Sequence, residues 1–534
     1  MHKYKYFTKK YLIGEILVAV LLSFGTVGAK QLVFPVNIPV TFQAVAIVLA
    51  TCVLCFPVSV ALFWLVEKVR WYFSTGKDRQ LTKRQLALRW FLYFAIAFGA
   101  PMVYLLAFNP ANMFTDSYIQ VAMAIGEMKM DAWQCLFDIL LIKLILSVCN
   151  TLQAVVIAEA LFWATVLASV FYYVAKHSQR WVVTGIALFL LSFAPTQGLQ
   201  VTTILKDVPF ATTMLWMLLI LMRLLERKGK TPKELYFEAG ICTALICLVR
   251  LNGIVVAILF LGTFVILSKN RKWLLWTTVG VLLLVVPYQF ASSQVDYRPV
   301  PPGSKYIALI YDMQTVKSSG YSVPQETEEY LSSVQDQEYM ADYYEYDPTM
   351  GNSANMDYQF AEDYTLPRFI KIYFKTFFEH PIVFIRNILV RMNLFWDFTE
   401  NIVPARSIGV RYYVEVPTYG PHPALSYDWS NFPSYGPRYE NILTKVFSKV
   451  TDLSLSWPLV AVFWRVAPYV VLLIVLAISV ALSGEKRQLI LFLPLAGLLV
   501  GLLLTCFCSE YRYFWPFMLY CVILYLYPFQ KKKV

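Results

Sequence analysis

Residues 41–66 read TFQAVAIVLATCVLCFPVSVALFWLV, a run of 26 residues that contains no charged side chain. A helix of about 20 residues crosses the roughly 30 Å hydrocarbon core of a bilayer, so this run is long enough to span a membrane. Comparable apolar runs recur along the 534-residue chain, which is 58% hydrophobic and only 15% charged. Soluble domains carry about 25% charged residues, so a single soluble globule is excluded and an all-α polytopic membrane protein is predicted.

The apolar runs and the charged breaks between them predict about twelve transmembrane helices. Nine precede a large hydrophilic segment and three follow it: 11–29, 41–66, 89–108, 151–175, 181–199, 208–225, 237–250, 254–268, 274–292, 457–482, 488–507 and 514–529. The stretch 134–150 is also apolar, but Asp138 and Lys143 interrupt it, and a crossing there would invert every later loop. We therefore expect it to lie as a helix on the outer surface.

Basic residues are distributed unevenly between the loops. With the N-terminus inside, the inner segments hold 26 of the 46 Lys and Arg residues and only five acidic residues. The positive-inside rule therefore predicts that both termini are cytoplasmic. The same distribution accounts for the net charge of +12 without a nucleic-acid partner.

The predicted helices divide the chain into three parts. Residues 1–292 form a transmembrane core with nine helices and a first outer loop at 109–150, and residues 457–534 carry the three C-terminal helices. Residues 293–456, called the outer domain below, hold 20 of the 34 acidic residues, 13 basic ones and 18 of the 35 tyrosines, but no Cys. Between Pro367 and Asp397, apolar residues at helical spacing alternate with Lys and Arg, which predicts one or two amphipathic helices near the lipid headgroups.

Four loops place distinctive polar residues at the outer ends of the predicted helices, and this convergence predicts a site. The residues are Asp116 with Ser117, Lys206 with Asp207, Arg250 with Asn252, and Glu510 with Arg512. Asp116 opens an amphipathic helix, where it can cap the helix or act as a general base; the two roles are compatible because the helix dipole favours the ionised carboxylate. Lys206, Arg250 and Arg512 are either interfacial side chains or ligands of a phosphate at headgroup depth.

Other kinds of site have little support in the sequence. Cys52 and Cys55 have CxxC spacing but lie mid-span without a nearby His, so they are predicted to be packing residues. The ionisable residues within spans, Glu15, Glu159 and Arg465, form no regular acidic relay, which disfavours a proton-driven transporter. The chain has no HExxH motif, and its four histidines are scattered. No cofactor is therefore expected, with a divalent cation as the alternative left open.

In arrangement the chain resembles the GT-C class of integral-membrane glycosyltransferases, especially bacterial relatives of the protein O-mannosyltransferases and of the lipid A aminoarabinose transferases. The resemblance covers roughly residues 89–292 and 457–529. It rests on Asp116 in the first outer loop, KDVPF from Lys206, RLNG from Arg250 and EYRYFWP from Glu510. It implies a GT-C-like fold, a polyprenyl-phosphate-linked sugar as donor, and transfer with inversion to a cell-surface glycan, glycolipid or protein.

The resemblance also implies roles for the residues and a location for the site. Asp116 would deprotonate the acceptor hydroxyl. The donor phosphate would be bound by Lys206, Arg250 and Arg512. A supporting or acceptor-binding role would fall to Ser117, Asp207, Asn252 and Glu510. The site would face outward from the plasma membrane of a bacterium.

Two other functions are left open by the sequence. One is a polysaccharide polymerase or ligase that acts on lipid diphosphate-linked chains. The other is a transporter or flippase of lipid-linked saccharides, which would bind its substrate near the midplane of the bilayer and use broken helices.

Overall fold

The structure is a computed structural model that describes residues 9–33, 40–76, 81–113, 115–226, 232–268, 272–299, 306–334, 365–398, 441–506 and 510–529. Most of these residues are helical. The strands that the described ranges contain are Met130–Asp131 and Tyr297–Arg298, which pair in parallel and join the first outer loop to the start of the outer domain. The chain is therefore an all-α polytopic membrane protein.

The nine membrane segments predicted before the outer domain are all helical. Their bounds are Lys9–Ser23 with a π-helix at Phe24–Val33, Phe42–Ser74, Lys83–Ala107, Leu152–Ser178, Trp181–Phe193 with Pro195–Val201, Asp207–Glu226, Lys233–Val249, Gly253–Leu267 and Lys272–Ser293. The two helices predicted on either side of Arg250 are separate. Basic loops precede the first and follow the second, and both loops can lie on the same side only if the chain crosses the membrane twice between them. The three later segments are Leu459–Phe463 with Ala467–Leu482, a 3₁₀-helix at Lys486–Phe492 that leads into Leu493–Thr505, and Tyr511–Leu526.

Two predictions of single continuous helices are wrong. The segment predicted at 181–199 bends by 64° between Phe193 and Pro195, and the segment predicted at 457–482 is broken before Ala467. Proline explains both breaks, because it has no N–H to donate and disfavours helical backbone at the residue before it. Pro195 and Pro468 each stand in the first two positions of the helix that follows the break.

Seven of the described helices have the length and the apolar composition needed to cross a bilayer, or eight if the bent pair forms one span. Four others predicted to cross are shorter, with 15 to 17 residues: Lys233–Val249, Gly253–Leu267, Ala467–Leu482 and Tyr511–Leu526. At 1.5 Å per residue they measure roughly 22–26 Å, less than the hydrocarbon core. The number of twelve spans therefore stays a prediction.

Loops that the charge distribution places on the inner side contact one another in the structure. Arg180 Nη2 donates to the Tyr72 carbonyl oxygen at 3.1 Å, and Arg70 Nη2 donates to Ser483 Oγ at 3.1 Å. The loops predicted to be outside also meet, at the start of the helix Asp207–Glu226. This alternation agrees with the predicted topology, while the identity of the cytoplasmic side stays a prediction from charge.

The stretch predicted as a surface helix forms the helix Leu136–Val148, which has 13 residues and packs against the helix Thr115–Ile125. One side of it is buried: Asp138 is 1% exposed, whereas Val148 is 84% exposed. A helix of this length reaches only about 20 Å, too short to span. Its position relative to the bilayer stays a prediction.

Small residues bring the helices Gly253–Leu267 and Leu493–Thr505 into close contact. A Cβ at Gly497 would lie 2.8 Å from Val256 Cα, and a Cβ at Gly501 would lie 3.0 Å from Asn252 Cβ. Membrane helices commonly associate through such contacts, which let backbones approach closely. The contact fixes the turn that carries Asn252.

The described part of the outer domain is helical. Its helices are Ile307–Ser318, Gln325–Val334, Leu366–Glu379, Pro381–Arg391, Asn393–Trp396 and Ile442–Ser454. The prediction of helices between Pro367 and Asp397 is confirmed, and they share a core that includes Ile310, Phe369 and Phe384. Much of the tyrosine-rich sequence, 335–364 and 399–440, lies outside the described residues.

A buried arginine attaches the outer domain to the C-terminal helices. Arg391 is 1% exposed and donates to both carboxylate oxygens of Asp312, from Nε to Oδ1 and from Nη2 to Oδ2, each at 3.1 Å. It also donates to the carbonyl oxygens of Cys506 at 2.6 Å and Leu503 at 2.8 Å. The last turn of the helix Leu493–Thr505 and the residue after it thus supply acceptors to the outer domain.

Candidate functional site

The first outer loop is attached to the segment that precedes Lys206. Asn112 N donates to the Thr202 carbonyl oxygen at 3.0 Å, and Asn112 Nδ2 donates to Thr202 Oγ1 at 2.6 Å. Asp116 follows in the first turn of the helix Thr115–Ile125. This bridge therefore places Asp116 beside the start of the helix Asp207–Glu226.

The last helix brings Arg512 to the same place. Trp515 Nε1 donates to Gln197 Oε1 at 2.8 Å, and the Tyr520 hydroxyl donates to the Met214 carbonyl oxygen at 2.6 Å. All four of these residues are buried, so polar groups that water would otherwise satisfy are paired inside the protein. The contacts hold the helix Tyr511–Leu526 with its first turn at the end where Asp116 and Lys206 lie.

These segments enclose a cavity of about 490 Å³, within the range typical of small-molecule sites. Six of the eight predicted site residues line it: Asp116, Lys206, Arg250, Asn252, Glu510 and Arg512. The other two, Ser117 and Asp207, are buried in the wall. The structure thus brings the four loops together, while the chemical roles of the residues stay predictions.

Carboxylates surround Arg512. Its Nη1 donates to Asp116 Oδ2 at 2.7 Å and lies 3.8 Å from Asp207 Oδ2, while its Nε donates to Glu510. The Arg512 side chain is only 7% exposed. Because three acidic groups compensate this guanidinium, it orients the carboxylates of the site in addition to facing the cavity.

Opposing effects act on the acidic groups next to Arg512. Burial by itself would raise the pKa of Asp116, but the charges of Arg512 and Lys206 and hydrogen bonds from Arg512 and Gln134 outweigh it, and the pKa is lowered. Burial raises the pKa of Glu510 in spite of its contact with Arg512. Asp116 is therefore ionised at neutral pH and able to accept a proton.

The other two cations of the site, Arg250 and Lys206, differ in whether a carboxylate is paired with them. Arg250 donates through Nη1 to Asp207, and its guanidinium carbon lies 4.7 Å from the ring centre of Tyr513. Lys206 Nζ lies 3.4 Å from the Trp133 carbonyl oxygen and forms no ion pair with any residue that the structure describes. We therefore expect an anion that enters the cavity to bind first at Lys206.

Several residues of the cavity wall were not predicted as site residues. Gln134 hydrogen-bonds to Asp116, and the Tyr513 hydroxyl accepts from Arg512 Nη2 at 3.2 Å. Tyr288 also lines the cavity, and it belongs to the helix Lys272–Ser293, whose sequence predicts only a transmembrane helix. Gln134 could have been considered from the sequence, because it is a polar residue in the segment between the two helices of the first outer loop. Nothing in the sequence distinguished Tyr288 from other membrane tyrosines.

An acidic residue, Asp138, is buried behind the cavity. Asp138 is 1% exposed, and neither of its carboxylate oxygens has a hydrogen-bond donor in the described part of the chain. Burial raises the pKa of Asp138 to about 7, with Lys206 acting against the shift and Asp207 adding to it. Its proton is therefore close to balance at neutral pH.

Metal chemistry gains no candidate from the described residues. Within them, no three His, Cys, Asp or Glu side chains come together as a possible metal site. The eight cysteines that the structure describes are free, including Cys52 and Cys55. Independence from metals stays a prediction.

Comparison with known proteins gives a family without a function. No curated protein and no solved structure matches the chain. A family model matches residues 141–534, a range that contains Lys206, Arg250 and Arg512 but not Asp116. Because the match covers well over half of the sequence, the chain belongs to the family of unknown function DUF6020.

Proposed function

We propose that the chain is a membrane glycosyltransferase that transfers a sugar from a polyprenyl-phosphate donor to an extracytoplasmic acceptor, with inversion at the anomeric carbon. The acceptor is a cell-surface glycan, a glycolipid or a protein. The observation that carries the proposal is the meeting of Asp116, Lys206, Arg250 and Arg512, from four separate loops, around one cavity. A base and several cations in one partly enclosed space are what transfer from a lipid phosphate requires.

The membrane arrangement belongs to the same proposal. Twelve crossings in a GT-C-like order, with parts 1–292, 293–456 and 457–534 and both termini cytoplasmic, put the cavity at the outer face of a bacterial plasma membrane. The donor then keeps its tail in the bilayer and its phosphate at headgroup depth. The loops that line the cavity lie at the predicted outer ends of their helices, in agreement with this placement.

The donor phosphate binds beside Lys206 and Arg250. Lys206 has no carboxylate partner among the described residues, and only one nitrogen of the Arg250 guanidinium is engaged by Asp207. Both therefore have donors left for phosphate oxygens. Their charge stabilises the negative charge that grows on the phosphate as it leaves.

The acceptor hydroxyl attacks C1 of the sugar on the face opposite the phosphate. Its proton passes to Asp116, and the bond between C1 and the phosphate oxygen breaks with its electron pair on the phosphate. The lowered pKa keeps Asp116 ionised but weakens it as a base. A phosphate that draws Arg512 away from Asp116 raises the basicity of the carboxylate when the donor is in place.

The test compares wild-type protein with Asp116→Asn in detergent. The donors are undecaprenyl phosphate carrying glucose, mannose or galactose, the acceptors come from a cell-envelope extract, and the released undecaprenyl phosphate is measured by mass spectrometry. We expect the loss of general-base help to slow release by about 10²–10⁴-fold. The matched control is Asp452→Asn, an exposed residue of the helix Ile442–Ser454. Wild-type turnover by Asp116→Asn would refute the assignment of the base.

A transporter or flippase of lipid-linked saccharides is the second candidate, because the bend before Pro195 is a broken span of the kind that transporters use. The same detergent assay separates the two functions, since a flippase forms no chemical product. Lipid diphosphate-linked saccharides, included as further donors, test for a polymerase or ligase. Release from these donors alone would favour that alternative.

A further inference from the structure

The cavity has two chemically different walls. Lys206, Arg250 and Arg512 supply positive charge on one part, as described above. Apart from Asp116 and Glu510, the rest is uncharged and includes Gln134, Leu136, Leu251, Asn252 and Tyr288. The proposed function assigns the cations to phosphate and Asp116 to the acceptor, and it gives the uncharged residues no role in binding the donor.

Asn252 presents an unsatisfied acceptor on this wall. The residue is 5% exposed, and its Oδ1 is buried with no hydrogen-bond donor among the described residues. Its position is fixed, because Asn252 immediately precedes the helix Gly253–Leu267 and lies against Gly501 of the neighbouring helix. Asn252 lines the cavity, and its oxygen is an acceptor without a donor in the described part of the site.

Gln134 presents a second acceptor in the same state. Its Oε1 is buried, and no described group donates to it. The rest of the residue is occupied: its side chain hydrogen-bonds to Asp116, and its carbonyl oxygen accepts from Gln120 Nε2 at 3.0 Å. These contacts leave Oε1 as the one atom of the amide without a partner in the described part of the site.

Two buried carbonyl oxygens select for hydrogen-bond donors. Phosphate or carboxylate oxygens in this part of the cavity would oppose them acceptor to acceptor, whereas hydroxyl groups would pair with them. A ligand that displaces water from such atoms must replace the water's donors, or it loses affinity. The cavity thus matches a molecule that carries both an anionic group and hydroxyl groups.

We propose that Gln134 and Asn252 are specificity-determining residues that accept hydrogen bonds from hydroxyl groups of the donor's sugar. The inference rests on the proposed function and names the groups that distinguish a glycosylated lipid phosphate from a bare one. A site built to pair with a hydroxyl discriminates strongly against a ligand that lacks it, because the buried acceptors are then left unpaired.

The experiment measures binding and needs no acceptor. Purified full-length protein in detergent is titrated with farnesyl methyl phosphate, a bare phosphodiester with the same single charge, and with farnesyl phosphate carrying glucose, mannose, galactose or arabinose. The quantity of interest is the Kd of the bare phosphodiester divided by the Kd of the glycosylated one. In this ratio the contribution of the phosphate cancels, so it reports only on the sugar.

Asn252→Leu removes the acceptor at similar size, and Asn252→Asp keeps it. We expect at least one sugar to raise the ratio in wild-type protein, Asn252→Leu to reduce that gain about 10-fold, and Asn252→Asp to retain most of it. Gln134→Leu provides an independent second variant. If these variants fail to fold, sugars with single hydroxyls replaced by fluorine test the wild-type protein itself, because fluorine cannot donate.

The outcomes separate the two proposals. Binding of farnesyl methyl phosphate with no gain from any sugar, or an unchanged ratio in Asn252→Leu and Gln134→Leu, would overturn this inference and leave the phosphate site intact. A wild-type preference that survives fluorination at every hydroxyl would also overturn it. If neither lipid binds, the donor site is refuted, and this inference falls with it.

Discussion

Two buried arginines, Arg391 and Arg512, are held in contrasting ways. Arg391 donates to one carboxylate, that of Asp312, and to two backbone carbonyl oxygens, and it does not line the cavity. Arg512 lies among three carboxylates and faces the cavity, which is also lined by Lys206, a residue without an ion pair to any described side chain. Both residues are arginines, so the residue type alone does not tell an arginine that joins parts of the fold from one that lines the cavity.

The difference lies in whether the unpaired polar groups near the arginine belong to residues that line a cavity. Around Arg391 the acceptors come from Asp312 and from the end of a helix, and the Asp312 carboxylate also receives hydrogen bonds from Asn387 and Tyr373. Near Arg512 the acceptors of Gln134 and Asn252 lack donors among the described residues. Unpaired buried acceptors also occur elsewhere among the described residues, for example Asn387 Oδ1 beside Asp312, so it is the cavity lined by Gln134 and Asn252 that indicates a ligand.

The largest effect on folding stability is expected at the buried ion pair between Arg391 and Asp312. Asp312→Asn leaves Arg391 buried with an uncompensated charge, which costs about 3–5 kcal/mol of folding stability and lowers the melting temperature in detergent by several degrees. Glu326→Gln, which breaks the partly exposed pair with Arg368, serves as the control and should cause no measurable shift. A melting curve of Asp312→Asn that coincides with the wild type would remove the structural interpretation of Arg391.

A pH-dependent effect is expected at Asp138. The pKa of Asp138 is about 7 in the folded protein and about 3.9 in an unfolded chain. The contribution of Asp138 to the free energy of unfolding is therefore most favourable below about pH 4 and is lost as the pH rises towards 7. Asp138→Asn removes this slope and should be the more stable protein at pH 8, by an amount on the order of 3 kcal/mol.

The measurement for Asp138 is the difference in melting temperature between variant and wild type from pH 5 to pH 8. Taking the difference cancels the titration of groups that both proteins share, such as Glu510. Lys206 and Asp207 interact with Asp138 and keep their residue type in the variant. The charges of Asp138 and Glu159 influence each other, so the slope that Asp138→Asn removes belongs to both groups. A difference that does not grow with pH would mean that Asp138 is not buried in its carboxylate form.

Lys206→Met should weaken binding without weakening the fold. Hydrogen bonds to charged groups contribute about 1.5–3 kcal/mol, so the affinity for farnesyl phosphate should fall about 10- to 100-fold. Raising the salt concentration should weaken the wild type more than the variant. Lys143→Met, at an exposed position of the helix Leu136–Val148, is the matched control. Equal loss in both variants would show a general electrostatic effect rather than a site.

The smallest effect is expected at Gly501, whose helix contacts both regions. Its end accepts hydrogen bonds from Arg391, and a Cβ at Gly501 would lie 3.0 Å from Asn252 Cβ. Gly501→Ala should displace Asn252 slightly and reduce the gain in affinity from the sugar about two- to fivefold, or roughly 0.5–1 kcal/mol. Gly262→Ala, whose added Cβ would meet nothing within 4 Å, should leave the gain unchanged.

The membrane helices could be predicted to a large extent from the sequence. Every predicted apolar segment contains a helix, because a long run without charge has no other way to satisfy its backbone in lipid. The breaks before Ala467 and Pro195 were missed although both follow from proline, since the apolar pattern continues through them. The parallel pair of Met130–Asp131 with Tyr297–Arg298 had no detectable signal, because two residues are too few to show a period.

For the site, the sequence by itself determined which residue types stand at which helix ends. Alternating crossings and the charge of the loops placed Asp116, Lys206, Arg250 and Arg512 at one end of the helices, and the structure brings them together there. Only the tertiary structure decided their electrostatic state. Arg250 and Arg512 form ion pairs with carboxylates, whereas Lys206 forms none with the residues that the structure describes, because pairing depends on distances of a few ångströms between loops far apart in the chain.

The tertiary structure also decided the difference between Asp116 and Asp138, two of the three aspartates in the first outer loop. Asp116 and Asp138 each stand in the first turn of a short helix, and the sequence gives no reason to treat their titration differently. Packing leaves Asp116 in contact with Arg512 and seals Asp138 away from any described donor, so one pKa is lowered and the other is raised. Burial and partners, which a one-dimensional pattern does not contain, determine a charge more strongly than residue type does.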